Sequence, residues 1–164
     1  MSQIYLDEAG YQEYLEEIEK LRERMRKNSI DMAEYQSDDA YGDGWHDNFA
    51  YEQSVQKDYS LSRELEERLK RKKDIIIVQP SHKKDIVDLN AMVSLKFDGE
   101  SEIEKFFISG RYQSDFDAEI PIITLNSELG KAIYKKNIHD TFSYQVNENP
   151  IRGEIIEIHY DDNR

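Results

Sequence analysis

A heptad repeat near the beginning of the chain limits the possible folds more than any other pattern in it. Large side chains recur there at alternating intervals of three and four: Tyr11, Tyr14, Ile18, Leu21, Met25, Asn28, Met32 and Tyr35. This spacing puts one stripe of side chains along one face of an α-helix, where a second helix can bury it. Asn28 is the one polar member of the stripe, and Asp7 stands where the N-cap of this helix is expected.

A second, weaker heptad pattern predicts the partner helix. It consists of Tyr51, Val55, Asp58 or Tyr59, Ser62, Leu65, Leu69 and Ile76. The segment between the two patterns contains Gly42, Gly44 and several Asp and Asn residues, which is typical of a loop. We therefore predict an antiparallel coiled-coil hairpin at residues 1–78, with an acidic tip at residues 37–48.

In the second half of the chain the hydrophobic period changes to that of β-strands. After a polar linker at residues 79–85, five segments have strand character, namely 91–97, 105–111, 119–125, 141–146 and 153–160. A short helix is predicted at about residues 127–134, with Asn126 or Ser127 as its cap. The chain is thus predicted to be α+β, with a small domain at residues 86–164 that folds as a curved antiparallel sheet around one helix.

Composition excludes several classes of protein. There are 35 acidic and 22 basic residues, so the net charge of −13 disfavours a free-standing DNA or RNA binder. The absence of cysteine excludes disulfides, thiolate zinc sites and cysteine nucleophiles. The longest strongly apolar run, residues 75–78, is far shorter than the roughly 18 residues that span a bilayer. We expect a cytoplasmic protein whose partner has basic surfaces or bound metal.

Acidic residues are concentrated at the predicted tip. No Lys or Arg occurs between Lys27 and Lys57, whereas this window holds Asp31, Glu34, Asp38, Asp39, Asp43, Asp47 and Glu52. Ala50 stands where an EF-hand loop starting at Asp39 would need its bidentate glutamate, so a calcium loop is rejected. A solvated acidic face is the simplest interpretation of the spacing alone. Nucleotide-binding glycine loops are also absent and the four histidines are dispersed, so the chain does not look like a self-contained enzyme.

Two motifs resemble those of one protein family. The tip sequence Tyr41-Gly42-Asp43, followed by Asp47-Asn48-x-x-Tyr51, resembles the G-D-L-S-E-N-x-E-Y tip of the Gre-type transcript cleavage factors, GreA and GreB. Residues 127–133, Ser-Glu-Leu-Gly-Lys-Ala-Ile, resemble the family's S-P-L-G-K-A-L, and residues 154–158 resemble its last strand. The resemblance spans nearly the whole chain in the same order. It implies a coiled-coil hairpin followed by an FKBP-like domain.

The resemblance also implies a function and a site. Gre factors bind bacterial RNA polymerase at its secondary channel, where two tip carboxylates help to hold a second Mg²⁺ in the active site of the polymerase. That metal activates the water that cuts backtracked RNA. By this resemblance Asp43 and Asp47 are the catalytic carboxylates that share Mg²⁺ with the polymerase. The remaining motif positions are the tip contacts Tyr41, Gly42, Trp45, Asn48 and Tyr51, and the C-terminal Ser127, Leu129, Gly130 and Lys131.

Further expectations about partners follow from the same resemblance. The chain is not expected to be an enzyme itself, and it stimulates the nuclease activity of the polymerase instead. Mg²⁺ is expected only in the complex with RNA polymerase, because an isolated pair of carboxylates binds Mg²⁺ poorly. The RNA 3′ end is contacted only within that complex, with at most weak DNA contact, no membrane association and a monomeric state.

Departures from the family pattern leave alternatives open. Gly44, Trp45 and His46 separate the two tip acids, one residue more than in the family, and the second acid is Asp rather than Glu. Asp39 stands where the family often has Arg, and Glu128 where it has Pro. One alternative is a Gre-like channel binder that inhibits the polymerase without stimulating cleavage. Another is a coiled-coil adaptor unrelated to polymerase.

Overall fold

The computed structural model describes residues 3–38, 48–81 and 83–160, except for the side chains of residues 36–38 and 48. The chain divides into two compact units, one made of Met1–Glu13 with Ile75–Arg164 and the other of Tyr14–Asp74. The predicted mixed α+β class is confirmed. The predicted domain limits, with a hairpin at residues 1–78, a linker at 79–85 and a second domain at 86–164, stay a prediction.

The second unit is a pair of antiparallel helices. Helix α1 spans Glu8–Asp38, helix α2 spans Asn48–Arg71, and a short 3₁₀ turn follows at Lys72–Asp74. The hydroxyl of Tyr14 donates to the carbonyl of Arg68 at 2.7 Å, and Nδ2 of Asn28 donates to the carbonyl of Ser54 at 2.8 Å. The two bonds lie 14 residues apart on each helix, in opposite directions. The predicted helical hairpin is thereby supported.

The stripe predicted on α1 is buried along most of its length. Tyr14, Ile18, Leu21 and Asn28 are nearly inaccessible to solvent, whereas Tyr35 at the far end is exposed. The buried carboxamide of Asn28 is tolerated because it has a hydrogen-bond partner on α2.

The stripe predicted on α2 is partly wrong. Ser54 and Leu61 are the buried positions. Of the two alternatives, Asp58 is partly buried whereas Tyr59 is 77% exposed; Leu69 is exposed, and Ile76 lies outside this helix.

The two hydrogen bonds to α1 determine which face of α2 is turned toward α1. Leu21 and Leu61 lie midway between these bonds on their respective helices and therefore at the same level of the pair. The prediction assumed that the buried positions carry large apolar side chains. In the structure the small polar residue Ser54 occupies one of them.

Many basic side chains of the helical arms are paired within their own helix. These ion pairs are mostly exposed and lie three or four residues apart, so each adds little stability. They are Lys20–Glu17, Arg22–Glu19, Arg26–Glu23, Arg63–Glu67, Arg68–Glu64 and Lys70–Glu66.

The first unit contains two sheets and one helix. Strands β1 (Ile4–Leu6) and β2 (Ile75–Ile77) form a parallel pair. The larger sheet has the order β5-β4-β3-β7-β6. Its elements are β3 (Ala91–Phe97), β4 (Ile103–Ser109), β5 (Ile122–Thr124), β6 (Thr141–Val146) and β7 (Asn149–Tyr160), with helix α3 (Glu128–Ile133) between β5 and β6.

The prediction of a wholly antiparallel sheet is wrong at one edge. β5 pairs with β4 in parallel, and the other neighbours in the larger sheet are antiparallel. Residues 110–121 make this possible, because a connection of this length can cross from one end of the sheet to the other. The limits of β3 and β6 agree with the prediction, whereas β4 begins earlier, β5 is shorter and β7 begins at Asn149.

The core of this unit lies between the larger sheet and α3. Its buried side chains are Val87, Leu89, Ala91, Val93, Leu95, Phe106, Ile108, Ile123, Leu125, Leu129, Ile133, Phe142 and Ile155. No helix in the described ranges is both long and apolar enough to cross a membrane.

The first turn of α1 packs within this unit as well. Asp7 is its N-cap, as predicted, since Oδ1 accepts from the amide of Gly10 at 2.7 Å. A Cβ atom on Gly10 would lie 2.2 Å from the carbonyl oxygen of Gly110, so a larger residue does not fit there. The amide of Asp7 also donates to that carbonyl, at 3.0 Å.

Candidate functional site

The predicted tip residues lie mainly outside the described part of the chain. This applies to Tyr41, Gly42, Asp43, Trp45 and Asp47, whose assigned roles therefore stay predictions. They belong to the connection between α1, which ends at Asp38, and α2, which begins at Asn48.

Two further tip positions belong to α2. Asn48 is its first residue and Tyr51 is partly buried within its first turn. Among the described residues there is no group of three or more His, Asp or Glu side chains that could hold a metal ion.

The C-terminal motif forms the beginning of α3. Of the two predicted caps, Ser127 is the one the structure uses: Oγ accepts from the amide of Gly130 at 2.9 Å. The same hydroxyl donates to the carbonyl of Thr124 at 2.8 Å. Ser127 thus ties the helix start to the end of β5.

Gly130 is required by a close approach of two backbone segments. A Cβ atom at this position would lie 2.0 Å from the carbonyl oxygen of Thr124 and 2.9 Å from Oγ of Ser127. Leu129 is buried in the core, and Lys131 forms an exposed ion pair with Glu128 at 2.8 Å. Ser127, Leu129 and Gly130 are therefore structural here, whereas Lys131 is on the surface.

Asn126 holds the N-terminal strand in place. Oδ1 accepts from the amide of Tyr5 at 2.8 Å, and Nδ2 donates to the carbonyl of Tyr5 at 2.9 Å. The carboxamide thus bonds β1 much as a neighbouring strand would. The prediction had considered Asn126 only as a helix cap.

An open groove lies between the start of α3 and residues of strands β3, β4, β5 and β6. Its volume is about 940 Å³, and its floor includes Phe97, Phe106, Ile123, Leu129 and Tyr144. Phe97 packs edge-on against Phe106, with ring centroids 6.3 Å apart. This floor is largely aromatic, and the wall beside it is the C-terminal motif itself.

The rim of the groove is acidic. Four carboxylates line it, those of Asp98, Glu100, Glu104 and Glu128, against the single guanidinium of Arg152. Phe116 also lines the groove and is 64% exposed. The sequence pattern did not indicate this site, because its acids come from two segments, residues 98–104 and the start of α3.

Crowding of carboxylates changes the ionisation of the rim. Burial raises the pKa of Glu104 above its ordinary value, and the neighbouring carboxylates of Glu100 and Glu102 raise it further. Burial, followed by the charges of Glu104 and Glu100, raises the pKa of the Tyr144 hydroxyl.

A buried carboxylate organises the other end of the same unit. Asp88 accepts from Nζ of Lys135 at 2.6 Å, from the amides of Ser81 and Leu89 at 2.9 and 2.8 Å, and from the Ser81 hydroxyl. Burial alone would raise the pKa of Asp88, but the hydrogen bonds from Lys135 and Ser81 and from the Leu89 amide hold it below its ordinary value. Because every bond is internal to the unit, Asp88 is a structural residue.

Comparison with known proteins identifies the C-terminal half. Residues 82–160 match the family of C-terminal domains of the transcription elongation factors GreA/GreB. No curated protein sequence matches the chain significantly.

The solved structures that match the chain include proteins of Thermus thermophilus, Thermus aquaticus and Nitrosomonas europaea. GreA factor homolog 1 (Gfh1) of Thermus thermophilus is 16% identical over 96% of this chain and 99% of its own, with a TM-score of 0.41. Gfh1 of Thermus aquaticus is 18% identical over 97% and 99%, with a TM-score of 0.42. A GreA/GreB elongation factor of Nitrosomonas europaea is 15% identical over 96% and 100%, with a TM-score of 0.40.

Proposed function

We propose, on the premise that residues 82–160 match the C-terminal domain of the GreA/GreB transcription elongation factors, that the chain is a Gre-type elongation factor and binds bacterial RNA polymerase at the secondary channel. The observation that carries the proposal is this family domain. It is accompanied by an antiparallel helix pair whose connection contains Asp43 and Asp47. We further propose that the helix pair is a coiled coil and that the sheet curled around α3 is FKBP-like.

The proposed activity is stimulation of RNA cleavage by the polymerase. The C-terminal domain docks at the rim of the channel, and the end of the hairpin enters it. Asp43 and Asp47 would help to hold an Mg²⁺ ion in the active site of the polymerase, where such a metal would supply activation of water and stabilisation of the charge that develops during phosphodiester cleavage.

The remaining tip residues have supporting roles in this proposal. Tyr41, Gly42, Trp45, Asn48 and Tyr51 contact the polymerase and the RNA 3′ end around the metal. The free chain needs no cofactor, acts as a cytoplasmic monomer and is not itself an enzyme. Its net charge of −13 suits a protein partner with basic surfaces better than free nucleic acid.

A specific feature favours a second candidate function. Three residues, Gly44-Trp45-His46, separate the two tip acids instead of the two in the family pattern, and Asp47 is one methylene shorter than the family's Glu. If the two carboxylates do not converge on one metal, the chain occupies the channel and slows the polymerase without stimulating cleavage.

A transcript cleavage assay tests the first function. Bacterial RNA polymerase is stalled in a backtracked complex with 3′-labelled RNA, and the chain is added with Mg²⁺. We expect wild type to release short 3′ fragments and Asp43→Asn to reduce the rate by about 100-fold, the scale seen when one charge-stabilising group is removed. Asp39→Asn is the matched control, since it removes one charge from the same connection without touching the proposed metal pair.

The outcomes separate the candidates. Fragment release that depends on Asp43 but not on Asp39 supports the cleavage function. Binding with slowed elongation and no release by wild type overturns it in favour of the inhibitory function. Failure of wild type to bind the polymerase overturns both.

A further inference from the structure

The carboxylate of Asp88 joins three segments of the first unit, and its side chain is completely buried. Oδ2 accepts from the amide and the hydroxyl of Ser81, in the predicted linker, and from Nζ of Lys135, which follows α3. Oδ1 accepts from the amide of Leu89, two residues before β3. Asp88 is therefore the point at which the linker is attached to the packed part of the unit.

Residues 79–81 have little else to hold them. Val78, just before them, donates to the carbonyl of Leu6 at 2.8 Å and packs against the core. Within the described ranges, residues 79–81 hydrogen-bond to the rest of the unit only through Ser81. Gln79 and Ser81 are exposed. Segments with few hydrogen bonds and few buried contacts are the ones that open locally in native proteins.

Lys135 has a backbone conformation that favours another residue type. Its φ angle is +62°, and it directly follows Tyr134, the C-cap of α3. Glycine is the usual residue in this left-handed conformation after a helix. The ammonium group of Lys135 lies 2.6 Å from Oδ2 of Asp88 and 4.8 Å from the centre of the Tyr134 ring. The backbone thus disfavours a lysine here, and the ion pair with Asp88 favours it.

The surroundings of Asp88 keep its carboxyl group ionised. Burial opposes ionisation, but the hydrogen bonds from Lys135, Ser81 and the Leu89 amide outweigh it and hold the pKa of Asp88 below its ordinary value. Burial, followed by the charge of Asp88, raises the pKa of the Tyr160 hydroxyl to about 12, so this neighbour stays neutral. Among the described residues, Lys135 is the one cation in an ion pair with Asp88.

We propose that Asp88 and Lys135 form a latch that fastens residues 79–81 to the first unit, and that this segment opens by itself, with the sheet intact, when the ion pair is lost. The ionised carboxylate of Asp88 holds Ser81 through two hydrogen bonds, and Lys135 keeps that carboxylate charged and in place. Without the ammonium group a buried charge has no counterion, so the carboxylate takes up a proton or turns toward water. Either change weakens the bonds to Ser81. The inference does not rest on the proposed function, because every group of the latch lies in the first unit.

Amide hydrogen exchange in the full chain, followed residue by residue by NMR, tests the latch. We expect the Ser81 amide to exchange about 10-fold faster in Lys135→Met than in wild type, the scale for losing a hydrogen bond to a charged group. Low concentrations of urea should leave exchange at Ser81 unchanged while they accelerate exchange in β3, because a local opening exposes little surface. Lys136→Met is the matched control, since it removes the same charge one residue further along and the described bond to Asp88 comes from Lys135.

A double variant shows whether the two residues act as a pair. Asp88→Asn should also accelerate exchange at Ser81, and D88N/K135M should be no faster than the faster single variant, because either change alone removes the ion pair. Equal exchange at Ser81 in Lys135→Met and Lys136→Met would overturn the inference. So would effects of the two single changes that multiply in the double variant, or a urea dependence at Ser81 equal to that of β3.

Discussion

Gly130 lies where the start of α3 passes against the end of β5. The close approach there lets Ser127 cap the helix and bond to Thr124 at the same time. The motif at residues 127–133 therefore holds the start of α3 against the sheet, and Glu128 lines the groove there. The requirement for glycine arises from space, since the nearest backbone oxygen would overlap any Cβ.

Replacing Gly130 with alanine should destabilise the C-terminal unit. Accommodating the added carbon requires a backbone shift at the helix start, and such overpacking costs about 3 kcal/mol. Urea unfolding followed by circular dichroism measures the change. Lys131→Ala is the matched control and should remain within about 0.5 kcal/mol of wild type, as is usual for exposed positions. Equal stability of the two variants would show that α3 can move away from β5 without loss.

Residue chemistry was predictable from the sequence only where it is local. The cap at Ser127 follows from a motif of a few residues. The Asp88–Lys135 ion pair, by contrast, joins residues that lie 47 positions apart in the sequence. Neither composition nor period contains that information.

Among the elements, the two helices show what heptad spacing can and cannot predict. The pattern on α1 predicted its buried face, because most of its members are large and apolar. On α2 the buried face contains Ser54, and of the two predicted alternatives the aromatic Tyr59 faces solvent while Asp58 is partly buried, so residue type was a poor guide to the phase. The register is instead fixed by hydrogen bonds from Tyr14 and Asn28, which only the pairing of the helices shows.

Asn28→Leu should loosen the register of the helix pair. A buried asparagine lowers coiled-coil stability but penalises slipped alignments. Because the chain has no cysteine, L21C/L61C provides a direct measure of alignment through disulfide formation. We expect rapid cross-linking with Asn28 present and a clearly lower yield when Asn28→Leu is added, with unchanged or higher melting temperature. An undiminished yield would mean that Tyr14 and apolar packing alone fix the register.

At the scale of the whole molecule, contacts distant in sequence define the first unit. β1 pairs with β2 in parallel, and Asn126 bonds to Tyr5, although these residues lie far apart in the chain. The sequence predicted the α+β class and the order of the elements, because period and turn residues are local signals. The parallel pairing of β4 with β5 and the packing of residues 4–13 within the first unit were not predicted. Both depend on contacts between segments that are distant in the sequence.

The proposed function requires both units of the molecule. Binding at the polymerase is assigned to the C-terminal domain, and action on the RNA to the connection that contains Asp43 and Asp47. A variant of one unit should therefore change one property and spare the other. Asp43→Asn, for example, should leave binding intact and reduce cleavage.

Competition for core RNA polymerase tests the central claim most directly. A fluorescently labelled GreB is bound to the polymerase, and unlabelled chain is titrated while the anisotropy of the label is followed. We expect full displacement of the label, with the same midpoint for wild type and Asp43→Asn, because the proposed binding site is the secondary channel where GreB binds. Binding of the chain without displacement of GreB, or no binding at all, would contradict it.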